Sequence, residues 1–137
     1  MIFARRVFFV AGLYGLIGLV PQYFTEAMVG RDFPPAITHP EHYYGFIGVA
    51  LAWQIFFFII AKDPVRYRIA MLPAMLEKLA FGGAMIVLYL QGRLAALILG
   101  AGIIDLVFVA LFIAAFRATP NTYTAGSASA SATDPGA

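Results

Sequence analysis

The chain of 137 residues contains no cysteine. This absence excludes disulfide bonds, thiolate catalysis and the ligation of iron–sulfur clusters by cysteine. Charged residues are also scarce, at 12% of the chain, against about a quarter in an average soluble domain. Because 62% of the residues are hydrophobic, the composition excludes an ordinary soluble domain and indicates a membrane protein.

Several functional motifs are missing as well. The sequence has no nucleotide-binding loop, no nucleophile elbow and no repeat of 20 to 50 residues. The net charge of +2 comes from basic residues that are spread over the connections rather than gathered into one patch. We therefore expect no nucleic-acid partner.

Long apolar runs make up most of the chain and predict an all-α integral membrane four-helix bundle over residues 1–117. The predicted spans are 7–24, 43–60, 69–90 and 94–116, running up and down in antiparallel order. A cleaved signal peptide is the alternative for the first span, but the residues around Pro21 do not form a small-residue cleavage site. Residues 118–137 are small and polar, which predicts a disordered tail.

The basic residues next to the spans predict the orientation. One side of the four-span plan carries most of them, and the other side carries only Arg31 and Arg93. The first group is Arg5, Arg6, Lys62, Arg66, Arg68 and Arg117. Since cytoplasmic loops are enriched in lysine and arginine, we expect both termini in the cytoplasm of a multi-pass protein of the cytoplasmic (inner) membrane.

Three connections have recognisable signals. The long loop 23–42 is held extended by prolines, and Thr38 to Glu41 spells a capping box for the second helix. Pro64 is expected at the first position of the third helix, and Pro73 is expected to kink that helix. The turn 91–93 is so short that the third and fourth helices must be neighbours.

Polar residues inside the predicted spans fall at one depth. Counted at 1.5 Å per residue, they lie roughly 16 Å from the outer span ends. The group consists of Tyr14, Trp53, Gln54, Glu77, Lys78 and Asp105. Because lone charges are unstable at this depth, we expect Lys78 to pair with Asp105, and Glu77 to receive a hydrogen bond from Gln54, Tyr14 or the Trp53 indole.

This polar layer has three interpretations. In the first, it is a hydrogen-bonded network that fixes helix packing. In the second, it binds the head group of an amphipathic ligand, and the apolar body of that ligand lies on Trp53, Phe56, Phe57 and Phe81. The third interpretation is a path for protons or ions, although no polar residues continue the layer toward either surface. Acid and base side chains occur without a recognisable substrate geometry, so the sequence favours a non-catalytic role and leaves catalysis open.

Two weaker patterns complete the sequence. His39 and His42, with Glu26 as a third ligand, resemble a metal site only loosely, and we expect no metal and no cofactor. Small residues at helical spacing predict close helix contacts. They are Gly12, Gly15 and Gly18 in the first span, Gly45, Gly48 and Ala52 in the second, and Ala96 and Gly100 in the fourth.

The layout of residues 5–117, with its small size, four spans and short third turn, resembles the bacterial DoxX-like membrane proteins. The depth of Glu77 and Asp105 is distantly similar to the carboxylates of the four-span sterol isomerase and sigma-2 receptor group. These resemblances imply a protein that binds a lipid-like or quinone-like molecule, with membrane lipids around it, beside a membrane oxidoreductase. The alternative is a structural or assembly subunit with a membrane protein partner or a second copy of itself.

Overall fold

The computed structural model describes residues 1–121, and the regular secondary structure in this range is helical, without strands. The helices are α1 (Ile2–Leu19), α2 (Glu26–Asp32), α3 (Pro40–Lys62), α4 (Met71–Leu90) and α5 (Ala96–Ala118). Short 3₁₀ turns, Val20–Phe24 and Arg68–Ala70, extend α1 and precede α4. The tail predicted to be disordered lies, from residue 122 onward, outside the described residues.

Four helices are long and apolar enough to cross a membrane. They are Ile2–Phe24, Pro40–Lys62, Arg68–Leu90 and Ala96–Ala118, each of 23 residues. The first begins five residues before the predicted span, since the sequence estimate started at residue 7 and the helix starts at Ile2. Large apolar side chains such as Ile17, Leu76 and Leu97 point away from the bundle, as expected of surfaces that face lipid.

The four long helices form an open bundle. Helix α1 packs against α3 on one side and α5 on the other, and α5 packs against α4. Helices α3 and α4 touch only over a short stretch, which leaves a seam between them. The core lies where Phe8 near the start of α1 stacks on Phe112 near the end of α5, with ring centroids 4.1 Å apart, and tilts against Phe57 of α3.

Glycines allow the closest helix contacts, at two predicted positions in α1, Gly12 and Gly15, and at two positions that the sequence did not predict. A Cβ on Gly82 would lie 2.8 Å from the Gly102 carbonyl oxygen, so these residues mark the contact between α4 and α5. In α1, Gly15 lies so close to the Gln54 side chain that a Cβ would not fit, which confirms the close contact predicted there. The predicted contacts at Gly18, Gly45 and Gly100 are wrong, because a Cβ there would meet nothing within 4 Å.

The connection before α3 differs from the prediction in two ways. Helix α2 occupies part of the loop that was expected to be extended, since the prolines fall only after its end. The capping box is wrong, because the N-cap residue is His39 and makes no side-chain cap bond. The Glu41 carboxylate instead lies 3.1 Å from the His39 ring Nδ1. Proline at position N1 begins the helix without that box.

The start of α4 also differs from the prediction. Pro64 lies in a turn, where the Asp63 carboxylate accepts a hydrogen bond from the Arg66 backbone N–H at 3.2 Å. Helix α4 begins only at Met71, which puts Pro73 in its first turn. Proline is tolerated there because the first N–H groups of a helix lack helical partners anyway. The backbone changes from the 3₁₀ turn to α4 at Met71, two residues before Pro73.

Candidate functional site

An ion pair joins α4 to α5 in the middle of the bundle. The Lys78 Nζ lies 3.2 Å from Asp105 Oδ2, and the two residues are only 3% and 5% exposed. The predicted pairing is confirmed. Both charges would be costly without each other, because the apolar surroundings offer no water to solvate them.

Glu77 shares the same ammonium group less closely. Its Oε2 lies 3.6 Å from Lys78 Nζ, beyond hydrogen-bond distance, and this buried oxygen has no hydrogen-bond partner within residues 1–121. The Lys78 ammonium also lies 5.4 Å from the ring centroid of Phe57, on α3. The Lys78 ammonium group therefore lies near two carboxyl groups. It donates a hydrogen bond to Asp105 but not to Glu77.

A lateral groove lies along the seam between α3 and α4, with a cavity of about 350 Å³. Glu77 is the one ionisable residue among those that line it. The lining residues recur at helical spacing along the two helices and are Phe46, Val49, Ala50, Trp53, Pro73, Leu76, Glu77, Ala80 and Phe81. Val49 and Leu76 on its rim are 65% and 64% exposed, so the groove is open to the lipid side of the bundle.

The structure brings together only part of the predicted polar layer. Trp53 lines the groove beside Glu77. The Gln54 side chain lies against Gly15 of α1, and its Nε2 donates to the Ala50 carbonyl of its own helix, α3, at 2.9 Å. Tyr14 packs its ring on Phe108, with centroids 5.6 Å apart.

None of the expected donors therefore forms a hydrogen bond with Glu77 in residues 1–121. Gln54 and Tyr14 lie on the α1 side of the core, and no hydrogen bond connects either of them, or Trp53, to Glu77. The apolar walls were also only partly predicted. Phe57 is fully buried in the core and Phe56 does not line the groove, whereas Phe46 was missed and stacks on Phe81 across the seam with centroids 5.9 Å apart.

The substitution Gln54→Met tests whether the side-chain amide of Gln54 bonds only within its own helix. We expect the substitution to change the free energy of unfolding by less than about 1 kcal/mol or to raise it, because the Nε2 bond stays within α3 and the buried Oε1 has no hydrogen-bond partner to lose. Detergent unfolding followed by circular dichroism measures the change. A loss of more than about 2 kcal/mol would show that the Gln54 amide holds a second helix after all.

The beginning of α3 carries the two histidines that loosely resembled a metal site in the sequence. His39, Glu41 and His42 offer ligand atoms that all lie within 4.8 Å of one another, so these residues could hold a metal ion. All three are exposed, and exposed groups of this kind are common without a metal. Glu26 does not belong to this group, and its carboxylate accepts a hydrogen bond from the Tyr44 hydroxyl at 2.7 Å.

No protein-family model, curated protein or solved structure matches this chain in the comparisons. The residues described above are therefore the basis for any statement about function.

Proposed function

We propose that this chain is a small integral membrane protein that binds one amphiphilic, lipid-like molecule in the groove between α3 and α4. One observation supports the proposal most strongly. Glu77 lines the groove, and its buried Oε2 has no hydrogen-bond partner in residues 1–121, although buried polar atoms are nearly always bonded. A ligand that enters from the lipid side supplies the missing donor.

The chemistry of the groove narrows the class of ligand. A carboxylate oxygen accepts hydrogen bonds, so the ligand carries a hydroxyl, amide or ammonium donor at its polar end. A quinol hydroxyl fits this requirement, whereas a quinone carbonyl only accepts and would bond only to a protonated Glu77. Trp53 and the stacked rings of Phe46 and Phe81 then contact the apolar body of the ligand. The cavity volume is in the range of small-molecule sites, which begins at about 300 Å³.

The membrane placement belongs to the same proposal. The unequal distribution of arginine and lysine supports spans that run up and down through the cytoplasmic membrane, with both termini on its cytoplasmic side. The likeness in layout to DoxX-like proteins and the association with a membrane oxidoreductase remain predictions from the sequence.

A structural or assembly subunit is the second candidate, and one observation favours it. The pair of Lys78 and Asp105 is complete without any ligand, so it stabilises the contact between α4 and α5 by itself. In this candidate the seam between α3 and α4 receives an apolar helix of a partner protein, and Glu77 bonds to that helix.

Removing the Glu77 acceptor should release the ligand. We expect native mass spectrometry in mild detergent to show one retained small molecule on the natural chain. Glu77→Met should reduce its occupancy about 10-fold to 100-fold, the effect of losing one hydrogen bond to a charged group. Ala80→Phe, which fills the groove and leaves Glu77 in place, should also reduce it.

Glu41→Met is the matched control, since Glu41 is an exposed carboxylate outside the groove. It should retain the ligand fully. Natural protein that is always empty would favour the assembly subunit. Equal occupancy in the natural chain and in Glu77→Met would contradict binding at this groove.

A further inference from the structure

A second groove lies between α1 and α3, at the end of the bundle where α1 begins and α3 ends. Its cavity is about 410 Å³, and it is separate from the groove that contains Glu77. It is lined by Arg5, Arg6, Phe9, Phe58, Ala61 and Lys62. Three cations thus surround a mainly aromatic floor.

The cations of this basic groove have no acidic partner within residues 1–121. The ion pairs of that range involve other basic residues, and the nearest acid in the sequence, Asp63, accepts a bond from the Arg66 backbone instead. Arg68 gives a contrast, because its Nε donates to the Thr119 carbonyl at 2.9 Å. Three unpaired cations on two adjacent helix ends therefore create a local excess of positive charge.

The floor of the basic groove is suited to hydrocarbon. Phe9 and Phe58 meet edge to face with centroids 5.3 Å apart, and Phe9 remains 53% exposed on the outer surface of the bundle. Both rings lie within about one helical turn of a cation along the chain. Charge at the span ends, followed by exposed aromatic surface toward the middle, is the order of a phospholipid from its headgroup to its acyl chain.

We propose that the basic groove binds a phospholipid with a net negative headgroup. The guanidinium groups of Arg5 and Arg6 can each donate two parallel hydrogen bonds to phosphate oxygens, and Lys62 adds a third positive charge. The acyl chain continues along Phe9 and Phe58. Basic pockets between membrane helices recognise anionic headgroups in this way. The proposal does not depend on a ligand at Glu77, because the two grooves share no lining residue.

Lipid competition measured by native mass spectrometry tests the proposal. The full chain is released from mixed micelles that contain phosphatidylglycerol and phosphatidylcholine, and the ratio of the two bound lipids is counted. We expect a preference for phosphatidylglycerol that falls about fivefold for each cation removed. The neutral triple variant is Arg5→Gln, Arg6→Gln, Lys62→Gln.

Two controls separate this site from general surface charge and from misfolding. Arg66→Gln, Arg117→Gln removes two exposed cations that do not line the basic groove, and it should keep the preference. Arg5→Lys, Arg6→Lys, Lys62→Arg preserves the charge and should keep most of it. Circular dichroism confirms that each variant is folded.

The outcomes are distinct. Loss of the preference in the neutral triple variant alone supports the site. Equal loss in the Arg66, Arg117 variant would overturn it, since general surface charge would then be enough. Binding of inorganic phosphate at the basic groove, with no preference between the two lipids, would also overturn the proposal. The occupant would then be a free anion.

Discussion

The double variant Glu77→Gln, Asp105→Asn is expected to lower the free energy of unfolding by about 3–5 kcal/mol. It leaves the Lys78 ammonium buried with no carboxylate, in a position that is only 3% exposed. Asp105→Asn alone should have a smaller effect, because Glu77 remains 3.6 Å from the ammonium group. Adding Lys78→Met to the double variant should recover most of the loss, since an apolar side chain then replaces the unpaired charge.

Unfolding in a denaturing detergent, followed by circular dichroism, measures these differences. Asp32→Asn is the control, because Asp32 is an exposed carboxylate in a surface pair with Arg31 and should change stability by less than about 1 kcal/mol. A triple variant that is no more stable than the double variant would contradict the view that the unpaired ammonium causes the loss.

Gly82→Ala is expected to lower the free energy of unfolding by about 1–3 kcal/mol, as overpacking does. Its Cβ would lie 2.8 Å from the Gly102 carbonyl oxygen and 2.7 Å from Leu106 Cγ. A backbone atom cannot give way as the end of a flexible side chain can, so α4 and α5 would have to separate. That movement would also stretch the pair of Lys78 and Asp105, which joins the same two helices.

The neighbouring glycine provides the control in the same unfolding measurement. A Cβ on Gly83 would meet nothing within 4 Å, and alanine is the better helix former by about 1 kcal/mol. Gly83→Ala should therefore be neutral or stabilising. Equal losses at the two positions would show that the contact between α4 and α5 is looser than the structure has it.

The sequence predicted the helices and one pair of side chains well. Apolar runs of sufficient length predicted the four long helices, and the short turn before α5 made Lys78 and Asp105 neighbours. In both cases the prediction used chain length and connection length, which are visible in the sequence.

The faces of the helices could not be predicted in the same way. A membrane helix is apolar all round, because lipid is as apolar as a neighbouring helix, so no amphipathic stripe marks its contacts. Gln54 was therefore assigned to Glu77 by depth, although it faces α1 and Gly15. Gly82 and Gly102 were missed for the same reason. The seam between α3 and α4 was missed too, because it depends on the contact of α1 with α5, two helices that are far apart in the sequence.

Quenching of Trp53 is the most direct test of the central claim that the groove beside Glu77 opens to lipid. Trp53 is the one tryptophan of the chain and lines that groove, so its fluorescence in bilayers reports on this position alone. We predict strong quenching by phospholipids brominated at the middle of the acyl chain and weak quenching by acrylamide in the water. Fluorescence unaffected by the brominated chains would contradict the account, because the seam between α3 and α4 would then be closed to lipid.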